Sequence, residues 1–337
     1  QSLVDVPLIG DVTQMLHELR SLGARVLRLG ERVVVVPDPD CTASRHGPNT
    51  GPIRGSILLL GPQLVRSGIA SVPLPGGCRI GARPIDAHVR GLEALGADVF
   101  TECDRLVAHA PEGLIATDFT LPFPSVTATE LLMITACGAE GETVLSNCAR
   151  EPEIVALGEY LQQLGAVIHG LGTSRITIEG GYPLGERAET FVVPPDRIEA
   201  ATWAIAGAVG PGRLVIENVP VEAMEPVLVV LRAAGVRLKL RGNQLTVEGR
   251  PTRSFSVTTG PWPEFPTDCQ PLVSVLAAVA PGACSIRETM FESRTGHVDE
   301  LRRLGADVHV DGRLLVFGDA CLSEGRVSAQ DLRCGAA

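Results

Sequence analysis

The sequence predicts an α/β protein built from repeated βαβαββ units of about 70 residues: strand, buried helix, strand, surface helix, two-strand hairpin. Three observations predict it. Gly23, Gly96, Gly165, Gly235 and Gly305 recur at intervals of about 70 residues. Each ends an amphipathic helical pattern, within Leu-Gly-Ala at four sites and Ala234-Gly235-Val236 at the fifth, as a helix C-cap glycine does. Each is followed by short alternating strands, such as Arg25–Leu29 with Arg32–Val36, or 307–310 with Leu314–Phe317. Four further segments, 56–69, 129–138, 198–209 and 269–280, are apolar nearly all round and predict buried helices.

Taken in order, the chain enters its first unit at the strand before the surface helix. Residues 331–337 begin a sixth unit and stop inside its buried helix. The expected whole is six units in two pseudo-three-fold domains, with the missing segments present in the natural protein. The Gly/Pro-rich stretch 181–195 predicts the hand-over, giving domains 1–188 and 189–337. The loop 41–53 is a second Gly/Pro-rich connection.

A length of 337 residues suits about two domains, and 45% hydrophobic residues supply their cores. No apolar run approaches the ~20 residues of a membrane span and no signal peptide opens the chain, so a soluble cytoplasmic protein is expected. Nine cysteines without CxxC pairs predict reduced thiols, and with seven scattered histidines they predict no metal site. The net charge of −10 argues against nucleic acid as a partner. An anionic substrate must therefore be met by local arginines; Lys239 is the one lysine, a bias that base composition explains.

The stretch Leu74-Pro75-Gly76-Gly77-Cys78-Arg79-Ile80-Gly81-Ala82-Arg83-Pro84-Ile85-Asp86-Ala87-His88 is the candidate for chemistry, the alternative being a buried structural cysteine near a turn. Two glycines give the thiol a mobile turn, and Arg79 and Arg83 bracket it with guanidinium forks suited to phosphate and carboxylate oxygens. The starts of the buried helices point the same way. Arg54, Arg197 and Arg333 lie at equivalent repeat positions beside helix N-termini, whose free N–H groups favour anions. Thr267 and Asp268 are good helix caps in their own right.

The glycine–cysteine motif resembles the catalytic loop of the UDP-N-acetylglucosamine enolpyruvyl transferases, and the likeness extends over essentially the whole chain. It implies an inside-out α/β barrel with an interdomain cleft. It also implies transfer of the enolpyruvyl group of phosphoenolpyruvate to a uridine nucleotide, without metal or organic cofactor and without an obligate protein partner. By resemblance, Cys78 protonates the methylene carbon of phosphoenolpyruvate. Arg83 and Arg54 serve phosphate binding and acceptor positioning, and Arg333 takes the pyruvyl carboxylate. Asp268, in Phe265-Pro266-Thr267-Asp268, takes or orients the acceptor hydroxyl proton, and Thr267 helps hold the acceptor. Ser125 and Val126 match the segment that holds the uridine phosphates, Pro84 and Asp86 the surroundings of the uracil, and Met290 and Phe291 the acceptor sugar. His88 is expected to be a helix-start residue without a catalytic role.

Departures from the family pattern leave the acceptor open. Thr127 stands for a glycine in Ser-Val-Gly-Ala-Thr, and Thr295-Gly296 for an aromatic–Met pair. By resemblance the expected acceptor is UDP-N-acetylglucosamine, attacked through its 3′-hydroxyl, and the alternative is the 3′-hydroxyl of UMP, as in peptidyl-nucleoside antibiotic pathways. A non-catalytic nucleotide-binding relative is the alternative from another class.

Overall fold

The computed structural model describes residues 1–36, 53–76, 80–181, 184–185, 190–329 and 331–337. They fall into two compact units. The first runs to Pro194 without residues 80–83, and the second comprises 80–83 and Pro195–Ala337.

The first unit opens with β1 (Ser2–Val4), α1 (Gly10–Ser21) and the hairpin β2 (Arg25–Leu29) and β3 (Arg32–Val36). The next repeat begins as a 3-10 turn, Arg54–Leu59, which passes into α2 (Leu60–Ser67). The sequence predicts one helix over 56–69. Pro62 cannot donate a backbone hydrogen bond, so the α-ladder starts late, and Gly68 at φ 68° ends it. Then come β4 (Ile69–Pro73), α3 (Asp86–Ala94), β5 (Asp98–Glu102) and β6 (Arg105–His109). The third repeat is complete: β7 (Asp118–Thr120), α4 (Val126–Ala136), β8 (Gly141–Ser146), α5 (Pro152–Gln163), β9 (Val167–His169) and β10 (Arg175–Gly180).

Its sheet runs β7-β8-β10-β9, with β7 parallel to β8 and the other pairs antiparallel. The first repeat reaches the same order by another route. The strand β11 (Thr190–Val192) pairs in parallel with β1, giving β11-β1-β3-β2. Phe191 of β11 also meets Tyr160 of α5 edge-to-face at 5.1 Å. Residues 190–194 thus belong with the first unit, which ends within the Gly/Pro-rich stretch 181–195.

The second unit continues with α6 (Arg197–Val209), β12 (Arg213–Ile216), α7 (Val221–Ala233), β13 (Arg237–Arg241), β14 (Gln244–Glu248) and β15 (Ser256–Thr258). A 3-10 turn, Thr267–Cys269, leads into α8 (Gln270–Val279). There follow β16 (Cys284–Arg287), α9 (Gly296–Arg303), β17 (Val308–Asp311), β18 (Leu314–Phe317) and α10 (Leu332–Ala336). The sheets run β12-β14-β13 and β15-β16-β18-β17, the latter repeating the order of the complete sheets of the first unit.

Each unit buries its own core. Leu131, Leu132 and Met133 on α4 are fully buried, which stabilises the first unit by roughly 1.5–3 kcal/mol per side chain. α3 lies so close to α4 that a Cβ at Gly91 would strike Leu132. The five repeat glycines have φ between 80° and 104°, the left-handed region in which glycine ends a helix without strain. Among the described residues no helix is long and apolar enough to cross a membrane.

Candidate active site

In the first unit the candidate residues lie at helix starts. Arg54 opens the 3-10 turn, which is fixed from α1 by the Ser56 hydroxyl donating to the buried Glu18 carboxylate at 2.8 Å. Pro84 and Asp86 are exposed and Asp86 is the first residue of α3. Ser125 caps α4, its Oγ accepting from the Ala128 N–H at 3.3 Å, and Val126 and Thr127 form the first turn. The free N–H groups of that turn and the helix dipole favour an anion.

His88, in the first turn of α3, is fully buried and hydrogen-bonded through Nε2 to Oγ1 of Thr127 at 2.9 Å. Burial, with the Arg54 charge nearby, lowers its pKa to about 4, so the imidazole is neutral. In the sequence this link shows only as a polar residue in the first turn of each of two helices.

In the second unit Asp268, half-buried in the turn before α8, is gripped by two arginines. Arg294 donates to Oδ1 at 2.8 Å and Arg333 to Oδ2 at 3.2 Å. Burial alone would raise the Asp268 pKa, but the two guanidinium groups hold it below the usual carboxylate range. Asp331 places Arg333 by capping α10, accepting from the N–H groups of Arg333 and Cys334, each at 2.9 Å.

Arg294 is buried, and its guanidinium carbon stands 5.0 Å from the centroid of the Phe291 ring. Its Nε–H is buried and has no hydrogen-bond partner among the described residues. Sequence reasoning missed Arg294 as a site residue. The buried Glu288 organises the same wall. Its Oε2 accepts from the Thr267 hydroxyl at 3.0 Å, and its Oε1 accepts from the N–H groups of Met290 at 2.8 Å and Phe291 at 3.1 Å. Arg83 stacks on Phe291 as well, 5.9 Å from the ring centroid.

The structure thus groups Arg83, Thr267, Asp268, Met290, Phe291 and Arg333 in the second unit, and Arg54, Pro84, Asp86, Ser125, Val126 and Thr127 in the first. Cys78 lies outside the described residues. Burial pushes the thiols of Cys137 and Cys148 up to about 11 and that of Cys269 up to about 12, so these three are poor nucleophiles. Among the described residues no cluster of His, Cys, Asp and Glu is placed to hold a metal ion.

Paired arginines around a carboxylate, beside an aromatic ring and ahead of a helix, are chemically suited to small anions. The comparisons narrow the class. The family model of EPSP synthase (3-phosphoshikimate 1-carboxyvinyltransferase) matches residues 1–337. The UDP-N-acetylglucosamine 1-carboxyvinyltransferase of Coprothermobacter proteolyticus is 41% identical over 99% of this chain and 79% of its own length. That of Sorangium cellulosum is 42% identical over 99% and 79%. Among solved structures, the enolpyruvyl transferase NikO from Streptomyces tendae superposes with a TM-score of 0.85 at 23% identity, covering 99% of this chain and 80% of that one. EPSP synthase from Acinetobacter baumannii gives 0.65 at 18%, covering 95% and 76%. The chain belongs to the enolpyruvyl (1-carboxyvinyl) transferase family.

Proposed function

We propose that this enzyme moves the enolpyruvyl group of phosphoenolpyruvate to the 3′-hydroxyl of UDP-N-acetylglucosamine and releases phosphate. The observation that carries the reading is Asp268 held between Arg294 and Arg333 beside Phe291. The acceptor oxygen adds to C2 of phosphoenolpyruvate and gives up its proton to Asp268, while C3 gains a proton from Cys78. A C3 proton then returns to the Cys78 thiolate as phosphate leaves that tetrahedral adduct, which gives the enol ether. Arg294 and Arg333 meet the anionic groups of phosphoenolpyruvate. As those groups draw the guanidinium charge, Asp268 is released to accept a hydrogen bond from the acceptor hydroxyl and becomes more basic. The relatives named as UDP-N-acetylglucosamine transferases support this acceptor.

Six repeats arranged as an inside-out barrel are the architecture this reading carries, and the three sheets of like strand order support it. Cytoplasmic action goes with it, as cysteines without a disulfide pattern support.

UMP is the second acceptor reading, favoured by one observation. The Thr127 side chain, fixed by His88, occupies the first turn of α4, where a glycine would leave the backbone open to a second phosphate. Phosphate release measured side by side with both acceptors decides between them. A kcat/KM more than tenfold in favour of UDP-N-acetylglucosamine, about 1.4 kcal/mol of transition-state preference, supports the first reading. The reverse ratio replaces it with UMP.

A further inference from the structure

Residues 80–83, the described arm of the glycine–cysteine loop, are fastened at Ile80, Ala82 and Arg83 by residues 291–293. The Ser293 N–H donates to the Ile80 carbonyl at 3.0 Å. The Ala82 N–H donates to Oε1 of Glu292 at 2.6 Å. Arg83 stacks on Phe291. Gly81 lies between these contacts with a backbone conformation that strains any residue with a side chain. Its φ is +129°, and a Cβ there would fall 2.5 Å from the carboxyl carbon of Glu292. Glu292 is exposed, so nothing about core packing requires a carboxylate at this position. The Ala82 N–H, with the Arg313 charge adding to it, lowers the pKa of that carboxyl, so the acceptor is ionised throughout the neutral range.

We propose that Glu292 is a positioning residue for the transfer reaction: by gripping the Ala82 N–H it fixes the loop arm just beyond Cys78 and so sets where the thiol is delivered. The inference rests on the reading of Cys78 as the proton donor. A charge-assisted hydrogen bond to a backbone N–H is a strong anchor for a segment that begins with two glycines. A proton transfer to carbon is sensitive to small errors in donor placement.

The test compares wild type, Glu292→Ala and Glu292→Gln by amide hydrogen exchange and by steady-state kinetics. Glu292→Ala should speed exchange at Ala82 about tenfold or more, and lower kcat by a similar factor with KM for phosphoenolpyruvate little changed. Glu292→Gln, whose side-chain oxygen still accepts the bond, should restore most of both. Unchanged exchange and kcat in Glu292→Ala, or equal damage in Glu292→Gln, overturns the proposal. Full turnover in Cys78→Ala overturns the reading of the thiol instead. The two failures are distinguishable, because exchange at Ala82 reports the grip of Glu292 whatever the thiol does.

Discussion

Thr127 and His88 share a partly buried hydrogen bond of 2.9 Å that ties the first turn of α4 to the first turn of α3. The imidazole has no solvent to replace this partner, because His88 is fully buried. Thr127→Val keeps the shape and removes the hydroxyl. It should therefore destabilise the protein by about 1–3 kcal/mol, the desolvation cost of an orphaned polar group. Urea denaturation measures it, and a midpoint equal to wild type would show that the bond contributes nothing.

The buried histidines predict an acid limb of stability. His297, buried on α9 and bonded to Ser274 at 3.0 Å, has its pKa lowered to about 4 by burial, as His88 has. Their folded values lie below the ordinary 6.5, so the unfolded chain binds more protons and stability is lost as pH falls from 6.5 towards 4. Glu130 has the opposite sign. Burial first, then Glu153 and Glu151, raise it to about 8, so its contribution is full below 4.5 and is lost as pH rises towards 8. Stability should peak near pH 6.5, and Glu130→Gln should remove the decline above the peak. Urea midpoints across pH 4.5–8.5 check this, and a profile that rises monotonically contradicts it.

How much of this was legible in the sequence varies by element. The hairpin Arg25–Leu29 with Arg32–Val36 was readable to the residue, because alternation and a glycine turn are local signals. The repeat glycines were readable as helix ends for the same reason. The pairing of Thr190–Val192 with Ser2–Val4 was not, since parallel pairing across nearly the whole first unit leaves no local pattern. At the site, Thr267, Asp268, Phe291 and Arg333 stand in recognisable motifs. Arg294 and Glu288 act through burial and tertiary contact, which Glu288-Thr289-Met290 and Ser293-Arg294-Thr295 do not announce. The sequence places His88 at a helix start, facing a uridine site or its own loop, and its bond to Thr127 appears when α3 packs on α4.

Asp268 should be separable into a structural and a catalytic part. Asp268→Ala leaves the buried Arg294 without its counter-charge and should cost about 3–5 kcal/mol of stability. Asp268→Asn keeps the shape and an oxygen acceptor but lowers the basicity. It should slow kcat by about 10²–10⁴-fold. Phosphate-release kinetics of the folded variant check this, and a kcat within twofold of wild type would remove Asp268 from the chemistry.

Among nine cysteines, Cys78 should be the most readily alkylated. Cys103 and Cys321 are exposed and are the internal controls for simple access. Fosfomycin, an epoxide phosphonate that mimics phosphoenolpyruvate, should add to Cys78 alone, and Cys78→Ala should abolish the added mass and slow turnover about 10²–10⁴-fold. Labelling of Cys103 or Cys321 in preference contradicts it.

The most direct test of enolpyruvyl transfer is the mass of the acceptor after incubation with phosphoenolpyruvate and the protein. UDP-N-acetylglucosamine, or UMP under the second reading, should gain one enolpyruvyl group for each phosphate released. Phosphate without a heavier nucleotide, or no phosphate with either acceptor, would contradict the account.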